Sequence, residues 1–67
     1  MNAPDFRLEN HGSLCLLKAR TDAATLWAHE NISDEAMHFG GGIVIEPRYV
    51  QPIINGIEGD GLTVELA

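Results

Sequence analysis

The stretch Gly40-Gly41-Gly42-Ile43-Val44-Ile45-Glu46-Pro47 constrains the fold more than any other, because three glycines, a β-branched apolar run and a proline follow one another without a break. Branching at Cβ stiffens χ1 of Ile43, Val44 and Ile45 and suits a pleated surface covered on both faces, so the run reads as a buried central strand. The glycines ahead of it leave the backbone nearly unconstrained. Pro47 offers no N–H to a ladder, and its fixed φ suits the first position of a helix. Strand therefore hands over to helix around Glu46-Pro47.

The rest of the chain supplies partners for that strand. After a tail over residues 1–4 that reads as disordered, Phe6-Arg7-Leu8-Glu9 alternates apolar and charged, the period of a strand with one face on a core. Asn10-His11-Gly12-Ser13 reads as a turn, and Leu14-Cys15-Leu16-Leu17 is apolar enough to be buried on both sides, so the two strands form a hairpin. Thr21 suits an N-cap and Asp22 the first turn of a helix over 22–31, whose inner face is expected to carry Ala23, Leu26, Trp27 and Glu30. Ser33-Asp34-Glu35-Ala36 reads as a capped single turn, and Met37-His38-Phe39 fits either helix or strand. Tyr49, Val50, Ile53, Ile54 and Ile57 recur at helical spacing. Pro52 interrupts them, which argues for a start near Tyr49. Gly59-Asp60-Gly61 reads as a tight turn, and Leu62-Thr63-Val64-Glu65-Leu66 as a closing strand with Thr63 and Glu65 toward solvent. The expected fold is α+β: a single two-layer domain over residues 1–67, of order ββαβαβ, with a mostly antiparallel sheet of about four strands and two helices on one face.

Sixty-seven residues is near the lower limit for a self-sufficient core and leaves no room for a deep cleft, while 45% hydrophobic content is that of a globular chain. A monomer or weak homo-oligomer is expected. One cysteine cannot form an internal disulfide, and no stretch resembles a secretory signal or a spanning segment of about 20 apolar residues, so a cytoplasmic protein off the membrane is expected. His11, Cys15, His29 and His38 are metal-ligand types without paired metal-site spacing, and Cys15 sits among leucines, where a thiol is inert packing. The glycines precede a strand, whereas phosphate-cradling loops follow one and open a helix. No catalytic, metal or cofactor site is expected.

The net charge of −6 is lopsided: Asp34, Glu35, Glu46, Glu58, Asp60 and Glu65 face only Arg48 in the second half. Such a field repels nucleic acid and attracts a basic partner. Carboxylates arrayed on one surface can also imitate duplex phosphates, which are spaced at one charge per roughly 1.7 Å of axis. Asp34, Glu35, Glu58 and Asp60, with Glu30, Glu46 and Glu65 behind them, are the expected partner-binding residues.

Phe6-Arg7-Leu8-Glu9-Asn10-His11-Gly12-Ser13, Gly41-Gly42-Ile43-Val44-Ile45-Glu46-Pro47-Arg48-Tyr49-Val50 and Asp60-Gly61-Leu62-Thr63-Val64 resemble a group of short bacterial and prophage-borne proteins that includes an anti-CRISPR protein of type I-C systems. The resemblance implies a phage-type inhibitor in a bacterial host cell. It would bind the surveillance complex Cascade, with the large PAM-reading subunit as the natural docking site, and block target DNA binding. The alternative is a small accessory or antitoxin-like interaction module that uses exposed apolar side chains such as Phe39 and Tyr49.

Overall fold

The computed structural model describes residues 3–32 and 35–67. Among them the order is β1 (Phe6–Asn10), β2 (Cys15–Ala19), α1 (Asp22–Asn31), β3 (His38–Phe39), β4 (Gly42–Ile45), α2 (Pro47–Gly59) and β5 (Val64–Leu66). The strands form one sheet in the spatial order β3-β4-β2-β1-β5, antiparallel except for the β1/β5 pair. The expected α+β fold with both helices on one face is present, with five strands rather than about four.

Each step along the chain has a local cause. In the β1–β2 turn, Gly12 takes φ +87° and donates its N–H to Asn10 Oδ1 at 2.8 Å, while His11 N–H bonds Leu14 O at 2.9 Å. Thr21 caps α1 from an extended backbone, its Oγ1 accepting from Ala24 N–H at 3.1 Å. The carboxylate of Asp5 accepts from Thr21 Oγ1 at 2.8 Å and from Thr63 N–H at 3.0 Å, so it ties β1 to the start of α1 and the approach to β5. The Thr63 hydroxyl, expected to face water, is exposed but hydrogen-bonded within this cluster.

Gly40 and Gly41 both have positive φ, +57° and +79°, the arrangement of a two-residue hairpin turn matched to strand twist. They fix the β3–β4 hairpin, in which His38 and Phe39 form a short edge strand and Met37 lies just before it. β4 is an interior strand, paired on both sides, but the middle position of the sheet falls to β2 rather than to the β-branched run. Cys15, Leu16 and Leu17 of β2 are all buried, whereas Ile43 and Val44 are only half-buried.

Both helices are crossovers. The pairings make β3 parallel to β2 and β5 parallel to β4, so α1 and α2 each connect parallel strands, and they travel toward opposite sheet edges from oppositely directed strands. Right-handed connections then place both on the same face. There Phe6, Leu8, Cys15, Leu17 and Ile45 meet Ala24, Trp27 and Ala28 of α1 and Ile57 of α2. Phe6 and Trp27 pack edge to face, with centroids 5.8 Å apart at 80°. Each fully buried side chain among Phe6, Leu17 and Ile57 contributes about 1.5–3 kcal/mol.

Three expected details of the helices are corrected. The inner face of α1 is Ala24, Trp27 and Ala28; Ala23, Leu26 and Glu30 are exposed, because Trp27 sets the buried direction and the small alanines beside it allow close approach. α2 begins at Pro47 rather than near Tyr49 and continues through Pro52. Pro52 is exposed, so its ring meets solvent, while Val50, Ile53, Ile54 and Ile57 hold the helix on the sheet. The turn after α2 is a helix cap: Gly59 is the last helical residue, Gly61 takes φ +85° and donates to Glu58 O at 3.0 Å, and Leu62 N–H bonds Ile57 O at 3.1 Å. The final strand accordingly starts at Val64, not Leu62. The capped turn expected at Ser33-Asp34 lies outside the described residues.

Candidate functional site

Strand alternation gives the sheet two unlike faces. Phe6, Leu8, Cys15, Leu17 and Ile45 turn to the helices, and register places Arg7, Glu9, Leu16, Lys18, Val44, Phe39 and Glu65 on the opposite, open face. The open-face charges are mutually paired. Lys18 Nζ lies 3.1 Å from Glu9 Oε2, and Arg7 reaches Glu9 at 3.6 Å and Glu65 at 3.8 Å. The Glu9 carboxyl is held below its ordinary pKa, chiefly by the hydrogen bond with His11 and then by Lys18. Asp5 is also lowered, chiefly by its bond from Thr21 and then by the Thr63 backbone.

The helix layer is different. Asp22 and Glu30 lie on α1, Glu58 on α2, and Glu46 and Asp60 at the ends of α2, while Arg48 is the one Lys or Arg within the two helices. Glu46 pairs with Arg48 at 3.3 Å, and the Arg48 guanidinium sits 4.9 Å above the Tyr49 ring. Glu30 and Glu58 are exposed and make no ion pair among the described residues. Asp60 serves the fold itself, because its Oδ2 accepts from Trp27 Nε1 at 2.6 Å. The two helices meet at this point, since a Cβ on Gly56 would come within 3.3 Å of Trp27 Cζ2.

The expected acidic residues thus divide. Glu30, Glu46, Glu58 and Asp60 belong to the helix layer, and Glu35 is exposed in the connection that follows α1. Glu65 lies on the other side of the sheet beside Arg7, and Asp34 is outside the described residues. Sequence reasoning missed Asp22 as a member of the acidic layer, having read it only as a helix-dipole residue. It also missed the neutral pairing of the open face, which the alternation of Arg7 and Glu9 against Lys18 could have signalled.

Comparison with protein-family models, curated proteins and solved structures found no match. Among the described residues no group of three or more His, Cys, Asp or Glu side chains is placed to hold a metal, and no helix is long and apolar enough to cross a membrane. Cys15 is buried with a free thiol. A cleft of about 450 Å³ between α1 and the β3–β4 hairpin is lined by Leu17, Ala28, Ile32 and Ile43 together with His29 and His38, and its described lining contains no carboxylate. His11 and Glu9 do pair, at 3.2 Å, but on the open sheet face, where the His11 side chain is 50% exposed.

Proposed function

We propose that this protein is a non-catalytic inhibitor that occupies a cationic nucleic-acid-binding surface with its acidic helix layer. The observation that carries this reading is the segregation of charge: bases and acids neutralise one another on the open sheet face, while on the helix side Asp22, Glu30, Glu46, Glu58 and Asp60 stand with Arg48, which is already paired to Glu46. A basic protein approaching this molecule is steered to α1 and α2, where Glu30 and Glu58 have no ion-pair partner among the described residues. The resemblance described above makes the partner the type I-C Cascade complex, with the large PAM-reading subunit as the docking site and target DNA as the competitor.

The test is capture of type I-C Cascade by the immobilised protein, with a parallel measurement of PAM-containing duplex binding. Glu30→Lys combined with Glu58→Lys is the informative variant; Asp60 is left untouched because it supports Trp27. At about 0.1 M salt we expect at least a tenfold weaker complex for the double variant, and for the unaltered protein a marked loss between about 0.1 and 0.5 M salt. Undiminished capture by the double variant would refute the acidic-layer reading.

A second reading is favoured by one observation. Met37 and Phe39 are each 70% exposed, on and beside an edge strand, and Tyr49 is 49% exposed. An accessory module binding through such side chains would show association that hardly changes with salt and is lost on Phe39→Asp.

A further inference from the structure

We propose that the open face of the sheet is where two copies of this chain associate. In a two-layer molecule one sheet face lacks a covering layer, and here that face is not uniformly polar. Leu16 is only 4% exposed although alternation turns it away from the helices, and it lies beside half-buried Val44 and near Met37 and Phe39, both 70% exposed. Gly42 is part of the same surface: a Cβ there would meet Lys18 Cγ at 3.1 Å and Leu16 Cβ at 3.3 Å, so the Lys18 stem lies flat across the sheet. Apolar side chains at the β3–β4 end and paired charges at the β1–β5 end make up one continuous face.

Charge identifies the occupant. The chain carries −6, so the helix layer of one copy repels the helix layer of another. The open face is the side on which bases and acids balance, Arg7 and Lys18 against Glu9 and Glu65, and a two-fold axis can set the bases of one copy against the acids of the other. Arg7 has capacity for this. Its side chain is 42% exposed, and its two carboxylate partners stand at 3.6 and 3.8 Å, beyond hydrogen-bond distance. The size also fits. Five strands at about 4.8 Å spacing span roughly 24 Å. This is a broad side of a molecule measuring 32 × 24 × 22 Å, on the scale of the roughly 600–1,000 Å² per partner that specific interfaces bury. Association here leaves both acidic layers outward, so the dimer presents two of them, and it does not depend on which partner those layers take.

Sedimentation velocity of the full chain from about 10 µM to about 1 mM covers the affinity range of a weak interface of this size. A shift from monomer to dimer mass is expected, with the dissociation constant raised at least tenfold by Phe39→Asp and unchanged by Leu26→Asp on the helix side. Amide shifts of the unaltered chain give a second measurement. Arg7, Glu9, Lys18 and Val44 should move with concentration while Ala23, Leu26 and Glu30 stay fixed. Monomer mass throughout overturns the proposal, as does a dimer insensitive to Phe39→Asp or shifts confined to the helix residues. Trp27 fluorescence, reporting the opposite layer, verifies that Phe39→Asp remains folded.

Discussion

The hydrogen bond from Trp27 Nε1 to Asp60 Oδ2 joins the two helices across 33 residues of sequence, and its removal is the sharpest test of how this small core is held. A hydrogen bond to a charged group contributes about 1.5–3 kcal/mol net. Asp60 is exposed, so water competes, the lower part of that range applies and we expect about 1.5–2 kcal/mol for Asp60→Ala. The 67 residues, at roughly 2.1 cal/mol/K each, carry an unfolding entropy of about 140 cal/mol/K, and a loss of 1.5 kcal/mol lowers Tm by about 10 °C. Trp27→Phe removes the donor but also trims contacts with Gly56, so neither single change isolates the bond. A double-mutant cycle does. Thermal unfolding of the parent, Trp27→Phe, Asp60→Ala and the double variant should give a coupling of about 1 kcal/mol or more. Coupling below about 0.3 kcal/mol would mean that the bond is no better than water, and Asp60 would return to the set of carboxylates available for binding a partner.

Trp27→Ala, which empties the centre of the helix–sheet contact, should cost about 3–5 kcal/mol and leave little far-UV helix signal at 25 °C, since a domain this small has about that much stability in total. Gly40→Ala and Gly41→Ala place a side chain at positive φ and should each destabilise by about 1 kcal/mol or more in chemical denaturation, whereas Gly42→Ala carries no positive-φ strain and is opposed instead by crowding against Lys18 Cγ at 3.1 Å and Leu16 Cβ at 3.3 Å. Asp5 has its pKa depressed in the folded state, so its contribution is fully present above the ordinary carboxylate pKa of about 4 and is lost as pH falls through the lower folded value. Asp5→Asn should flatten that part of the acid-unfolding curve, and an unchanged curve would show that the Thr21 and Thr63 bonds do not favour the charged form.

What could be read from residues and what could not follow the range of the interactions. Thr21 caps α1 through contacts three residues away, and the Asn10–Gly12 turn closes over two, so both were legible. The burial of Cys15, Leu16 and Leu17 was also visible, because an unbroken apolar run has only one comfortable place in a sheet. The inner face of α1 was not, since Trp27 belongs equally to a set with Ala23, Leu26 and Glu30 and to one with Ala24 and Ala28. Hydropathy favours Leu26, and packing against the sheet favours the alanines. Pro52 misled for a related reason: its cost as a helix interior residue is local and visible, while the burial of Val50, Ile53, Ile54 and Ile57 that offsets it is tertiary. For the acidic residues, composition identified every carboxylate but not its layer. Strand register sends Glu65 to Arg7, and a contact from Trp27 in the middle of α1 turns Asp60 into a structural acceptor.

The division of charge follows from connectivity more than from any one residue. Two crossovers that run from oppositely directed inner strands to opposite edges place both helices on one side. Whatever charge the helices carry is then concentrated there, while strand charges that alternate with core residues are confined to the other side. On β1 and β2 the outward charged positions are Arg7, Glu9 and Lys18, which pair with one another through Glu9; on α1 and α2 the outward positions include Asp22, Glu30 and Glu58, with Arg48 already paired to Glu46. A chain of the same composition with one helix on each face would spread its −6 over both sides and have no neutral face on which to meet a second copy. The inhibitor reading and the dimer reading therefore rest on the same topological fact and use opposite sides of the sheet. Lysine at Glu30 and Glu58 should weaken capture of a cationic partner while leaving self-association intact, and aspartate at Phe39 should do the reverse.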